Sequence, residues 1–191
     1  MKVIKSVDNP LLSGAANAAL SYVGDILDSL EIRLDRDEYI LVDGRKAVIS
    51  ISTDNRFVAD NDKEGMEILL IKKIISLRFS GPLSELLADR EIIRLGLADR
   101  LFYYYYVLLS SHRRIESIED FIELNIPRLS FYPSDKENAK FLKEMTEKHI
   151  FRSQEYEAAT EKLFGLLQRN LYTSRAISEA ETEWLNVSRM V

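Results

Sequence analysis

The run Leu69-Leu70-Ile71-Lys72-Lys73-Ile74-Ile75-Ser76-Leu77-Arg78-Phe79 constrains the fold of this chain more than any other stretch. Its apolar residues crowd nearly every side of a helix, which places that helix in an interior. Yet it carries two lysines and a serine, with Lys72 and Ser76 at i and i+4 on one face. A buried ammonium is costly unless it is paired. Read as an ordinary buried helix, the run lets Lys72 and Lys73 snorkel to solvent at its edge.

The rest of the chain can supply that interior. Of 191 residues, 46% are hydrophobic and 30% charged, so a sizeable core and a solvated surface are both available. The net charge of -5 argues against nucleic-acid or anionic-membrane binding, which wants a basic face. No apolar run reaches the roughly 18 residues of a spanning helix. Ser6-Val7-Asp8-Asn9-Pro10 is too polar for a signal peptide, so a soluble cytoplasmic protein is expected. Cysteine is absent, and His112 and His149 stand far apart without a neighbouring ligand. An ordinary zinc site needs three or four N, S or O ligands, so no metal and no other cofactor is expected.

Asn9-Pro10 opens a helix whose apolar residues recur to about Leu30. Glu31 to Leu34 then alternates. Tyr39 to Val42 and Ala47 to Ile51 flank Asp43-Gly44-Arg45-Lys46, a hairpin signal, and Arg56 to Ala59 reads as one more short strand. Asp62 caps a helix over 63–78, and Ser80-Gly81-Pro82 breaks it. Helices follow over 83–95, stopped by Gly96, and over 98–111. Ser117 opens a short helix to Asn125, and Ile126-Pro127 and Tyr132-Pro133 bound a loop. Ser134 and Glu137 form a capping box for a helix to Lys148; helices over 153–170 and 178–189 complete the set. The expected fold is α+β, helix-dominated, with a small antiparallel sheet at residues 31–60 and a helical C-terminal part. One domain over 1–191 is favoured, with 1–112 and 113–191 as the alternative halves.

Replacing residues 72, 73 and 76 by His, Glu and His would turn the apolar helix into an H-E-x-x-H zinc-peptidase helix. In that motif both imidazoles project from one face, and the glutamate serves as general base on a zinc-bound water. Lys72 is instead an ammonium with three donors and no lone pair. Lys73 has the opposite charge to a base, and Ser76 is a poor ligand.

With those residues in view, the order of elements over residues 10 to 110 resembles the core of a zincin-type metallopeptidase: a helix, a small sheet, the motif helix, and a further helix. In zincins of the glutamate-ligand kind the helix after the motif supplies a third ligand. The run Leu86 to Gly96 looks like that helix, with Glu85, Asp89 and Glu91 as candidates. Every departure falls on a residue the chemistry needs. The resemblance therefore implies an inactive relative, a zincin-like pseudoenzyme with a binding or scaffolding role. Lys72, Lys73, Ser76, Glu85, Asp89 and Glu91 are its vestigial site candidates, and none is catalytic. Loss of the metal would leave a carboxylate buried and unpaired, so the Lys72 ammonium is expected beside Glu85, Asp89 or Glu91.

Two alternatives stand beside it. One is a helical protein-interaction module without zincin ancestry, and the other an enzyme of unrecognised type using carboxylates such as Glu85 and Asp89. A Ser76–Lys72 nucleophile pair lacks any oxyanion hole in the sequence. Tyr103 to Tyr106 point four ways on a helix and cannot line one pocket, which favours packing over base stacking. Trp184 is a candidate anchor for an unidentified protein or peptide partner. No glycine-rich phosphate loop is present.

Overall fold

The computed structural model describes residues 2–5, 10–23, 27–79, 81, 83–110, 118–147, 165 and 174–188. The expected capping residue Ser117, the helix over 153–170, both histidines and the Trp184 side chain lie outside the described residues.

Among the described residues, four strands form one sheet and eight helices accompany it. The strands are β1 (Lys2–Lys5), β2 (Ser29–Asp35), β3 (Tyr39–Asp43) and β4 (Lys46–Ser52), in the spatial order β1-β2-β4-β3. The helices are α1 (Pro10–Val23), α2 (Arg56–Ala59), α3 (Lys63–Ser76), α4 (Ser84–Arg94), α5 (Ala98–Leu109), α6 (Ile118–Phe131), α7 (Lys136–Glu147) and α8 (Ser174–Ser188). The protein is thus helix-dominated α+β, and none of the described helices is long and apolar enough to cross a membrane.

The sheet is mixed rather than antiparallel. β1 and β2 run parallel, joined by α1 as a crossover helix. β2 and β4 are also parallel, because residues 36–38 carry the chain past the end of β4 to its far side before β3 returns. Period-two alternation does not distinguish the two senses. That short crossing explains a buried serine: Ser50 Oγ donates to Asp37 O at 2.9 Å, and Ser52 Oγ to Arg36 O at 3.0 Å. Only the β3–β4 hairpin is antiparallel, as its Asp-Gly signal indicates. Gly44 there has φ +58° while Arg45 does not have positive φ, the pattern of a two-residue type II′ turn.

Other expectations also need correction. α1 ends at Val23, and Leu30 lies in β2, where with Ile32 it lines the buried face. Arg56–Ala59 is a short helix, because Asn55 accepts from the Phe57 N–H and so caps it. α6 runs through Pro127 to Phe131 instead of breaking into a loop. Asp135, not Ser134, caps α7, accepting from Asn138 N at 3.0 Å. α8 starts at Ser174, ahead of residue 178.

α3 is the hub of the core. Met66, Ile68, Leu70, Ile71, Ile74 and Ile75 are fully buried. They share one cluster with Ala15 and Ala19 of α1, with Leu30, Ile49 and Ile51 of the sheet, and with Leu124, Phe131 and Leu142 of α6 and α7. The cluster therefore spans both halves of the chain on either side of residue 112. Asp62 caps α3 through Gly65 N at 3.0 Å. Gly65 is required by close approach: a Cβ there would meet the Phe57 ring at 2.1 Å.

Candidate functional site

Lys72 is embedded in this core rather than at its edge, with 6% of its surface exposed. The neighbours that make this tolerable come from three other helices. Asp89, on α4, is fully buried, and its Oδ1 lies 2.5 Å from Lys72 Nζ. Glu85, one turn earlier on α4, reaches in from the surface to 2.8 Å. Tyr105, on α5, accepts from Nζ at 2.7 Å and donates its own hydroxyl hydrogen bond to Asp89 Oδ2. Ser130, on α6, lies 2.7 Å from the same Oδ2, and also 2.8 Å from Ile126 O.

The accounting closes. The ammonium has three protons, and Asp89, Glu85 and Tyr105 face them. Asp89 faces three donors, the arrangement of an ionised acid. Burial works against the ammonium, but Asp89 and Glu85 outweigh it and hold the Lys72 pKa above the ordinary lysine value. Burial pushes the Asp89 carboxyl up, while Lys72, Tyr105 and Ser130 pull it back. Burial and the Asp89 charge raise the Tyr105 phenol well above its usual value.

The remaining candidates go elsewhere. Lys73 turns outward and meets Glu38, ahead of β3, at 3.1 Å. Burial opposes the Glu38 charge, but Asn55 and Lys73 prevail and hold that carboxyl below its usual range. Ser76 Oγ donates to the Lys73 carbonyl at 2.8 Å. Glu91 does not join Lys72; it is held by Arg94 at 2.6 Å and Arg78 at 3.6 Å. The structure therefore brings together Lys72, Glu85 and Asp89, and separates them from Lys73, Ser76 and Glu91.

The four tyrosines do diverge. Tyr103 donates to Asp62 at 2.8 Å, and Tyr104 stacks on Phe57 with centroids 5.2 Å apart. Tyr105 enters the cluster, and Tyr106 is exposed beside Phe141. Sequence reasoning did not assign Tyr105 or Ser130 to the site. A phenol at a helix position facing inward needs a polar partner, which is a usable signal for Tyr105. Ser130 carries none, since its alliance with Asp89 runs from α6 to α4 across 41 positions.

The zinc that the zincin resemblance implies does not fit these residues. Lys72 offers no lone pair, and Ser76 directs its hydroxyl proton along its own helix. Among the described residues no group of three His, Cys, Asp or Glu is placed to hold a metal ion. No family model, no curated protein and no solved structure matches this chain.

Proposed function

We propose that this protein is a non-catalytic, zincin-like chain whose role is binding or scaffolding, with the Lys72 ammonium standing where a zincin would hold its metal. The observation that carries this is the placement of Nζ between Glu85 and Asp89, from the helix position that a first histidine ligand would occupy. A cation of one kind replaces a cation of another, and the acidic helix α4 keeps its partner.

Two further observations favour a role without chemistry. Each proton of Lys72 faces an acceptor and its pKa is raised, the reverse of what a lysine base needs. Asp89 and Glu85 are both engaged by that ammonium, which leaves this pair unsuited to act as acid and base on a substrate.

The test restores the ligands. Lys72→His with Ser76→His offers two imidazoles on one face beside Asp89 and Glu85. The expected outcome is one zinc per chain by elemental analysis after dialysis, with a zinc-dependent rise in melting temperature. The unmodified protein is expected to take up no stoichiometric zinc and to cleave no unstructured peptide. A folded double variant that ignores zinc would remove the zincin reading and leave the helical interaction module. Zinc-dependent hydrolysis by the unmodified chain would remove both.

A further inference from the structure

We propose that Lys72 and Asp89 join covalently in the folded chain, forming an amide between Lys72 Nζ and Asp89 Cγ with loss of one water, and that Glu85 carries the proton this requires. The proposal does not rest on the zincin reading, and the charged groups described above are those of the chain before this reaction.

It starts from position. Lys72 Nζ lies 2.5 Å from Asp89 Oδ1. Cγ is one C–O bond beyond, at about 3–3.5 Å for an ordinary hydrogen-bond angle, which is the separation of a near-attack pair. Packed helices α3 and α4 hold the two residues, so the encounter is already made. Intramolecular partners oriented in this way reach effective concentrations of about 10⁵–10⁸ M. A tilt of the carboxylate turns the face of Cγ toward the nitrogen.

The surroundings supply what amide formation needs. Burial is the largest influence on both groups and favours the uncharged form of each, a free amine and a carboxylic acid. Moving one proton from Nζ to Oδ1 gives that neutral pair without changing the net charge. The amine then attacks Cγ. Tyr105 and Ser130 both direct hydroxyls at Oδ2, where negative charge gathers in the tetrahedral intermediate, as the donors of an oxyanion hole do. Glu85 Oε2, 2.8 Å from Nζ, takes a second proton from the nitrogen and delivers it to Oδ1. The Cγ–Oδ1 bond breaks and water leaves. Of the three ammonium protons, two depart with Oδ1 as water and one stays on the amide nitrogen. The step needs no oxidant, reductant or co-reactant.

The core sets its direction. Asp89 is fully buried and Lys72 is 6% exposed, so the ion pair recovers little of the hydration it has lost, whereas a neutral amide gives up far less. Glu85 has 48% of its side chain exposed, which gives the released water a way out beside it. The same exposure keeps Glu85 solvated, and this makes Asp89 the acyl partner.

Intact-mass spectrometry of the purified full chain in denaturant tests the proposal. The expected mass is below the sequence value by one water, and proteolysis should yield one branched peptide joining Lys72 to Asp89. Glu85→Gln keeps the size of a half-exposed side chain, so circular dichroism should show an unchanged fold, while cross-linking slows about 10²–10⁴-fold. Lys72→Arg keeps the cation but has no amine to acylate, and should stay at full mass. A folded, unmodified chain that holds its full mass after prolonged incubation at neutral pH would overturn the proposal. So would a water loss that persists in Lys72→Arg, or one that maps to Asp43-Gly44, where an aspartyl–glycine bond can close to a succinimide. Unchanged cross-linking in Glu85→Gln would overturn the part given to Glu85.

Discussion

The interior between α3, α4, α5 and α6 and the outer rim of the sheet treat polar groups in opposite ways. Inside, Lys72, Asp89, Tyr105 and Ser130 close on one another. At the rim, the backbone of Ile40 and Val42 and the side chains of Leu41 and Val42 face outward. The cluster ties α3 to α4, α5 and α6, and of its members Glu85 reaches the surface. The outer side of β3, by contrast, pairs with no other described strand. The residues that attract the eye in the sequence are thus paired within the chain, while the exposed apolar side chains lie on a plain hairpin.

The sharpest way to break this contrast is Lys72→Met. It leaves Asp89 buried without its cation and should cost about 3–5 kcal/mol in urea denaturation. Adding Asp89→Leu should recover much of that loss, because an apolar pair of similar volume needs no compensation. If Lys72→Met alone were neutral, the cluster would not be structural. Gly65→Ala is the next largest. Its methyl would enter the space of Phe57, which stacks on Tyr104, and overpacking of this kind costs about 1–3 kcal/mol.

Alkaline titration probes the same cluster without mutation. Lys72 and Tyr105 both titrate above their ordinary values of 10.5 and 10.0 in the folded chain. Between the unfolded and folded values the folded state holds more protons, so stability falls as pH rises, by up to about 1.4 kcal/mol per pH unit per group. The contribution is intact below pH 10, and denaturation midpoints followed upward from there should drop. Tyr105→Phe should flatten that drop. The smallest effect is at the rim: Lys73→Ala removes a partly exposed pair with Glu38 and should cost no more than about 1 kcal/mol by the same measurement.

Helix α3, its Asp62 cap and the β3–β4 hairpin are legible in the sequence, because each is written in adjacent residues. The meeting of Lys72 with α4 is expected only through the zincin resemblance, as the replacement of a lost metal's charge; the residues by themselves allow both lysines to snorkel to solvent. What is not legible depends on distant partners. β1 is four residues long and becomes a strand only by pairing with β2. The parallel sense of β2 and β4 follows from a three-residue crossing that leaves no mark in hydropathy. Pro127 sits inside α6, where tertiary packing of Ile126 and Leu129 overrides a local breaker. Residues 56–59 are as apolar as a strand, and only the Asn55 side chain decides them as helix.

Ser130 bears on how the chain matures. Its hydroxyl reaches Asp89 from 41 positions away, on the last of the four helices to be synthesised. A chain leaving the ribosome can bring Lys72, Asp89 and Tyr105 together first, but their cluster still lacks one donor and part of its apolar roof. Completion waits until residue 130 has emerged, so the final desolvation of the ion pair is a late event. Nascent chains halted before that point should be more open to proteolysis than chains halted after it, and the step between the two would date the closing of the core.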